Sequence, residues 1–339
     1  MNPDGFSTAR FSTADLPEKD RVAIWREQYG RKALKLDFEP INEIPFECAV
    51  AFRALPGVQI MSTAMTPARI IRRREFIGDG DEDLIFIINQ TGTATAFARG
   101  REVVVREGDA LLMSTSEVKV FERHSHGGSL SFRIQQSAVS SVVTNIHDII
   151  MQLIPHDTDI LKLLASYAAP LFSEIALATP EFRRTAGTHL LDLIALALGA
   201  TDDAAELASR RGLPVARLEK AKSYIIENSS RRELSIGTVA SHLGVTPRHL
   251  QRLFEREDTT FSEFLLAQRL NRAHYMLTQP RLAQSPVATI AYDVGFGDLS
   301  YFSRCFKKLY GATPRDIRNR ALRSTEPAAT CPEQQCGFR

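Results

Sequence analysis

Arg248, Gln251 and Arg252 stand just after the pair Thr246-Pro247, and Arg304 stands at the same offset after Asp298 as Arg252 does after Thr246. Arginine pairs bidentately with guanine and glutamine with adenine, so side chains of these types on one helix face have the chemistry of base-edge recognition. They belong to a pattern written twice, over Val239–Phe254 and Ile290–Phe306. In each copy an alanine (Ala240, Ala291) is followed four residues later by a glycine (Gly244, Gly295). Counting from Thr246 or Asp298, an apolar residue falls at +4 (Leu250, Phe302), Arg at +6 and Phe at +8 (Phe254, Phe306). The second turn is one residue longer.

Each part has a physical role. The alanine admits a second helix close to the first, and the glycine takes the positive φ that ends the first helix. Thr246 and Asp298 are N-caps, and Pro247 occupies the favoured first helical position. The pattern is a helix-turn-helix, whose second helix enters the major groove with its apolar face held by the domain. A helical interaction domain without DNA is the bland alternative; two copies with matching offsets weigh against it. Between them, Phe261 to Gln279 reads as a capped apolar helix. At 1.5 Å per residue it spans about 28 Å, near the roughly 34 Å of one B-DNA turn, a strut for two recognition helices in successive grooves.

Composition agrees with this division. The 339 residues carry a net charge of only +2. From Leu213 to Arg323, however, there are 18 Lys+Arg against 10 Asp+Glu, a net of +8. The remainder has 24 basic and 30 acidic residues, a net of −6. Only the back half has reason to meet a polyanion. No apolar run approaches the roughly 20 residues of a transmembrane helix. Met1 to Arg10 has no apolar stretch of a secretory signal. The four cysteines (Cys48, Cys305, Cys331, Cys336) form no closely spaced framework and read as reduced thiols of a cytoplasmic protein.

The front half must position a different chemistry. A short helix is expected near Val22–Tyr29, with Asp15 as its cap and Pro17 in its first turn. Apolar or alternating runs follow at Val58–Met61, Ala68–Ile71, Leu84–Ile88, Thr93–Ala98, Glu102–Val105, Ala110–Met113, Glu117–Glu122 and Ser129–Ile134. Turn signals at Gly78-Asp79-Gly80, Gly92, Gly100, Gly108-Asp109 and Gly127-Gly128 separate them, as in an antiparallel sandwich or barrel. Helical spacing takes over at Val139–Leu153, Thr158–Ile175 and Pro180–Leu198. The last of these packs on the barrel or is shared between two subunits. The predicted class is α+β with two domains. Residues 1–205 form a β-barrel (about 40–136) with helices (137–200), and 206–212 a polar linker. Residues 213–322 are all-α, and 323–339 a disordered tail.

The stretch Ile290–Arg318, with Gly295-Phe296, Ser300-Tyr301-Phe302, Phe306-Lys307-Lys308, Gly311 and Pro314, resembles the C-terminal signature of AraC/XylS-type transcription regulators. Thr13–Trp25 and Gly92–Leu112 are similar to that family's AraC-binding-like, cupin-type sensor domain. The resemblance implies a seven-helix DNA-binding domain, a regulatory front domain and activation through RNA polymerase. It places base contacts at Arg248, Gln251 and Arg252, and at Leu299, Ser300, Ser303 and Arg304. Leu299 departs from the polar residue common there, and would touch a thymine methyl or leave the second motif a weak reader. His249 is a phosphate contact or a support, Tyr301 packs or touches phosphate, and Arg269, Lys307 and Lys308 suit phosphates.

For the barrel, the expected use is sensing a small-molecule effector of unidentified class, with a homodimer as a further partner. Arg73, within Arg72-Arg73-Arg74, would pair with a carboxylate effector; a solvated charge run is the alternative. A regulator or repressor that needs no ligand is the competing functional reading. A metal-dependent cupin enzyme is the third: Glu122, His124 and His126 alternate and would share a strand face. No nucleophile triad and no phosphate-binding glycine loop stands out, so no enzyme, cofactor or metal is expected.

Overall fold

In the computed structural model, which describes residues 9–41, 44–77, 82–172, 179–279, 282 and 285–323, the chain divides at Glu219 into two units. The first begins with β1 (Ala9–Ser12) and α1 (Glu18–Ile24). Pro17, with no N–H to donate and φ −54, itself takes the N-cap position, and no side chain, Asp15 included, caps the helix. Wider i→i+5 turns continue α1 through Trp25–Leu34, and Trp25 is buried against the rings of Phe11 and Tyr29.

The predicted runs all become strands. Ahead of them lie β2 (Asp37–Pro40) and β3 (Cys48–Leu55), neither foreseen. Then come β4 (Val58–Met65), β5 (Ala68–Arg72), β6 (Leu84–Asn89) and β7 (Ala94–Ala98). They are followed by β8 (Arg101–Val105), β9 (Ala110–Ser114), β10 (Lys119–Arg123) and β11 (Gly127–Ile134). The sandwich-or-barrel alternative resolves to two antiparallel sheets, in the manner of a cupin-like jelly roll that is not a closed barrel. With the later β12 (Leu153–Ile154), one sheet is ordered β1-β3-β4-β11-β6-β9-β12 and the other β2-β5-β10-β7-β8.

Three helical runs were expected after the strands. The first breaks into α2 (Gln136–Ser140) and α3 (Ile146–Ile149). Asn145 and Met151 take positive φ, and the Met151 N–H donates to the Leu112 carbonyl, so that β12 adds to β9. Edge pairing here overrides a local helical period. The second run becomes α4 (Asp159–Ala168) with a tight turn through Phe172, and its last expected residues lie outside the described ones. The third is α5 (Pro180–Ala197), capped by Thr179 and started by Pro180. One apolar cluster joins Phe86 and Phe132 of the first sheet, Ala96 and Phe121 of the second, Leu164 of α4 and Leu190 of α5.

The expected linker at 206–212 lies inside α6 (Asp202–Asn228). Ala208, Gly212 and Ala216 are buried at intervals of four, a stripe of small residues that brings α6 close to His189 and Asp192 of α5. Small side chains carry little apolar signal, which is why the stretch read as polar. Leu213, Val215 and Ala216 pack on the first unit's core, so the division falls later than Leu213. The Gly78–Gly80 turn and the tail 324–339 lie outside the described residues.

The second unit is helical: α7 (Ile236–His242), α8 (Pro247–Glu255), α9 (Phe261–Thr278), α10 (Val287–Asp293), α11 (Leu299–Tyr310) and α12 (Pro314–Arg323). Helix α9 starts with a capping box between Thr260 and Glu263, the cap standing just before the expected Phe261 start. Its first turns receive Phe254 of α8, through Phe261 and Phe264. Its later turns supply Leu270, Ala273 and Leu277 to a cluster with Ile290, Ala291, Phe302 and Phe306. One helix therefore carries both motifs.

Candidate nucleic-acid interface

The first motif is α7 and α8, and the second is α10 and α11. Thr246 Oγ1 accepts the His249 N–H at 3.2 Å, and Asp298 Oδ1 accepts the Tyr301 N–H at 2.7 Å, so both expected caps form. Gly244 has φ +65 and Gly295 φ +97, the left-handed turns that end α7 and α10. Ala240 and Ala291 are fully buried where the helices of each pair meet.

The buried face of each second helix is as the spacing predicts. Leu250, Phe254, Phe302 and Phe306 are all 0% exposed. The opposite faces carry Arg248, Gln251 and Arg252 on α8, and Ser300, Ser303, Arg304, Lys307 and Lys308 on α11, all exposed. Among the described residues, none of these eight side chains makes an ion pair or hydrogen bond with another. Uncommitted guanidinium and ammonium groups on a capped, anchored helix can meet an anionic duplex and its base edges.

Other expected contacts lie elsewhere. Leu299 is only half-exposed and leans on the second core. Arg269 is not a surface cation: its Nε donates to the Ser229 carbonyl and its Nη2 to the Arg231 carbonyl, both at 2.8 Å. Burial lowers its pKa, and the guanidinium clamps the chain between α6 and α7 to α9. That role replaces the phosphate contact. Tyr301 is half-exposed beside Phe296, and a hydrogen bond with Cys305, with burial second, raises its pKa. His249 is half-buried on α8.

Two contributions were not legible in the sequence. Arg232 lays its guanidinium on Gly297 in the second turn, within 2.5 Å of where a Cβ would stand, so a side chain there would displace it. The rings of Tyr224 and His242 stack at 4.0 Å and fasten α6 to α7. Neither pair has a spacing that announces it.

In the first unit, Arg73 is committed within the protein. Its Nε donates to Asp37 Oδ2 at 2.7 Å and its Nη2 to Glu39 Oε1 at 2.6 Å. Burial alone would raise the Asp37 pKa; hydrogen bonds from Arg31, Arg73 and the Phe38 N–H outweigh it and hold the carboxyl at about 2. The carboxylate that Arg73 was expected to await is thus its own neighbour, and no effector is assigned to it. Glu122 Oε1 and His124 Nδ1 lie 3.7 Å apart, but β10 ends at Arg123 and both histidines lie in the turn to β11, so the three do not line one strand face. Glu122 accepts from Arg69 at 2.7 Å, and His124 shares a hydrogen bond with Thr95. Among the described residues no three of His, Cys, Asp and Glu gather as metal ligands, and no helix is long and apolar enough to cross a membrane.

Two helix-turn-helix motifs on one strut, following in the chain a unit of two antiparallel sheets, define the class of two-part helix-turn-helix regulators. The helix-turn-helix domain profile matches residues 239–320, and the AraC-binding-like domain profile residues 25–199, about half of the chain. The chain belongs to the AraC family of transcription regulators. It is 33% identical over 184 residues to the transcriptional activator RhrA of Rhizobium meliloti, covering 54% of this chain and 57% of that protein. It is 34% identical over 103 residues to the arabinose operon regulatory protein of Escherichia coli, covering 30% and 34%. It therefore matches these relatives over less than two thirds of their own length. The crystal structure of the AraC-like transcriptional activator CuxR aligns with a TM-score of 0.48 and 17% identity, covering 78% of this chain and 95% of that one.

Proposed function

We propose that this chain is a sequence-specific, double-stranded-DNA-binding transcription activator of the cytoplasm that answers to a small metabolite held in its N-terminal unit. One observation carries the DNA reading: two capped helices, each anchored by a buried Phe at +8, expose arginines that no carboxylate of the described residues engages. Arg248, Gln251, Arg252, Ser300, Ser303 and Arg304 read base edges. Leu299 offers its exposed part to a thymine methyl, and Lys307, Lys308, His249 and Tyr301 hold phosphates. The AraC-binding-like match supports effector binding and pairing of subunits in the N-terminal unit, and likeness to a transcriptional activator supports contact with RNA polymerase.

The test begins with duplexes that the full-length protein selects from a random pool. At fixed salt, Arg252→Ala and Arg304→Ala each weaken binding to the selected site by about 1–3 kcal/mol. Unchanged affinity in both variants would overturn the reading. A metabolite that binds the native N-terminal unit raises the melting temperature, and a broad screen without any such shift removes the effector from the proposal.

A further inference from the structure

The start of α10 and the face of α12 enclose a cleft of about 400 Å³. Pro286, Val287, Ala288, Arg315, Arg318 and Asn319 line it. Arg318 as a whole is partly exposed, and its Nε and Nη2 atoms are buried with no hydrogen-bond partner. Buried N–H donors almost always have partners, and leaving two of them without an acceptor is costly. Among the described residues no carboxylate lines the cleft to compensate. The neighbouring Asp316 is turned away, its Oδ2 accepting from the Thr313 N–H and Oγ1 at the start of α12. Burial and the charge of Arg315 both lower the Arg318 pKa, as expected for two guanidinium groups facing one space without an anion between them.

We infer that this cleft is a phosphate site, with Arg315, the Arg318 fork once its side chain turns the unpartnered N–H groups outward, and Asn319 as its donors. The planar guanidinium matches two phosphate oxygens at once, which a single ammonium cannot do. The expected source is the DNA backbone. The first helix of a helix-turn-helix crosses the backbone while the second lies in the groove, and α10 is the first helix of the second motif. The phosphate bound here flanks the groove that α11 reads, so the assignment rests on the DNA-binding reading above. Free phosphate shares the same chemistry and is the other source.

Full-length protein and its Arg315→Gln, Arg318→Gln and Arg318→Lys variants are titrated with a mixed-sequence duplex over a range of salt. A phosphate contact is blind to sequence. Each Gln variant should therefore weaken all duplexes alike and lower the slope of log K against log salt by about one unit. Arg318→Lys keeps the charge without the fork and should recover only part of the loss. Melting curves with added inorganic phosphate form the second arm. A phosphate-dependent rise in the wild type that the Gln variants lose, with an unchanged duplex slope, assigns the site to free phosphate. If Arg318→Gln does not fold, the exposed Arg315→Gln carries both measurements. Folded variants with neither effect overturn the site. Were the wild type to bind no duplex at all, the functional reading would fall and the phosphate arm alone would decide this one.

Discussion

Helix α8 has nine residues and α11 has twelve, yet both bury the same two offsets from their caps and expose an arginine at +6. What they offer outward differs. Helix α8 presents Arg248, Gln251 and Arg252, three side chains with specific base partners. Helix α11 presents Ser300, Ser303 and Arg304, half of Leu299, and two lysines at its last turns. The frame is set by burial and capping and so repeats. The outer face is constrained only by its target, so it is free to diverge into one richer reader and one helix weighted toward backbone contact.

The shared frame is tested by its largest side chains. Phe254→Ala and Phe306→Ala should each cost about 3–5 kcal/mol in denaturant unfolding, because both leave a ring-sized cavity. A large loss in one and none in the other would break the equivalence of the two motifs. The turn glycines sharpen the contrast. A Cβ on Gly244 meets nothing within 4 Å, whereas on Gly295 it comes within 2.9 Å of the Ser229 carbonyl oxygen. Gly244→Ala should therefore cost about 1 kcal/mol from its positive φ alone, and Gly295→Ala about 2–4 kcal/mol. Equal melting temperatures for the two variants would contradict this packing.

The same comparison extends to how each unit uses its arginines. In the first unit several are engaged by carboxylates, Arg73 by Asp37 and Glu39, Arg69 by Glu122 and Arg99 by Glu117, while Arg72 and Arg123 donate to carbonyl and amide oxygens. On the recognition helices they are left open. The Asp37 carboxyl, held at about 2 against an ordinary 3.8, stabilises the folded first unit at any pH above the ordinary value. That contribution, about 2 kcal/mol, fades as pH falls below about 4 and is gone once the folded carboxyl protonates near 2. Asp37→Asn should lose this acid dependence in unfolding curves while DNA affinity at neutral pH stays the same. The smallest effects separate the two readers. Gln251→Ala should cost about 1 kcal/mol on the selected site and relax one base position, while Ser303→Ala stays within about 0.5 kcal/mol.

Much of this was legible in the chain. The caps, turn glycines and Phe spacing of the motifs depend on φ preference and on residues four apart, so local sequence is enough to read them. The strand runs from Val58 to Ile134 were legible for the same reason, through alternation and turn residues. What the sequence by itself determined is the repeated motif, its exposed arginines and the change of texture between the halves. The tertiary structure decided the rest, because those outcomes depend on partners far away in the chain. Met151 leaves a helical run to extend a sheet edge, and a stripe of small residues turns an apparent linker into α6. Arg269 is drawn onto two carbonyls about forty residues distant, and Arg73 onto Asp37. A charge shows in the sequence, but whether it is open to a ligand or already engaged is set only when the fold brings an acceptor to it.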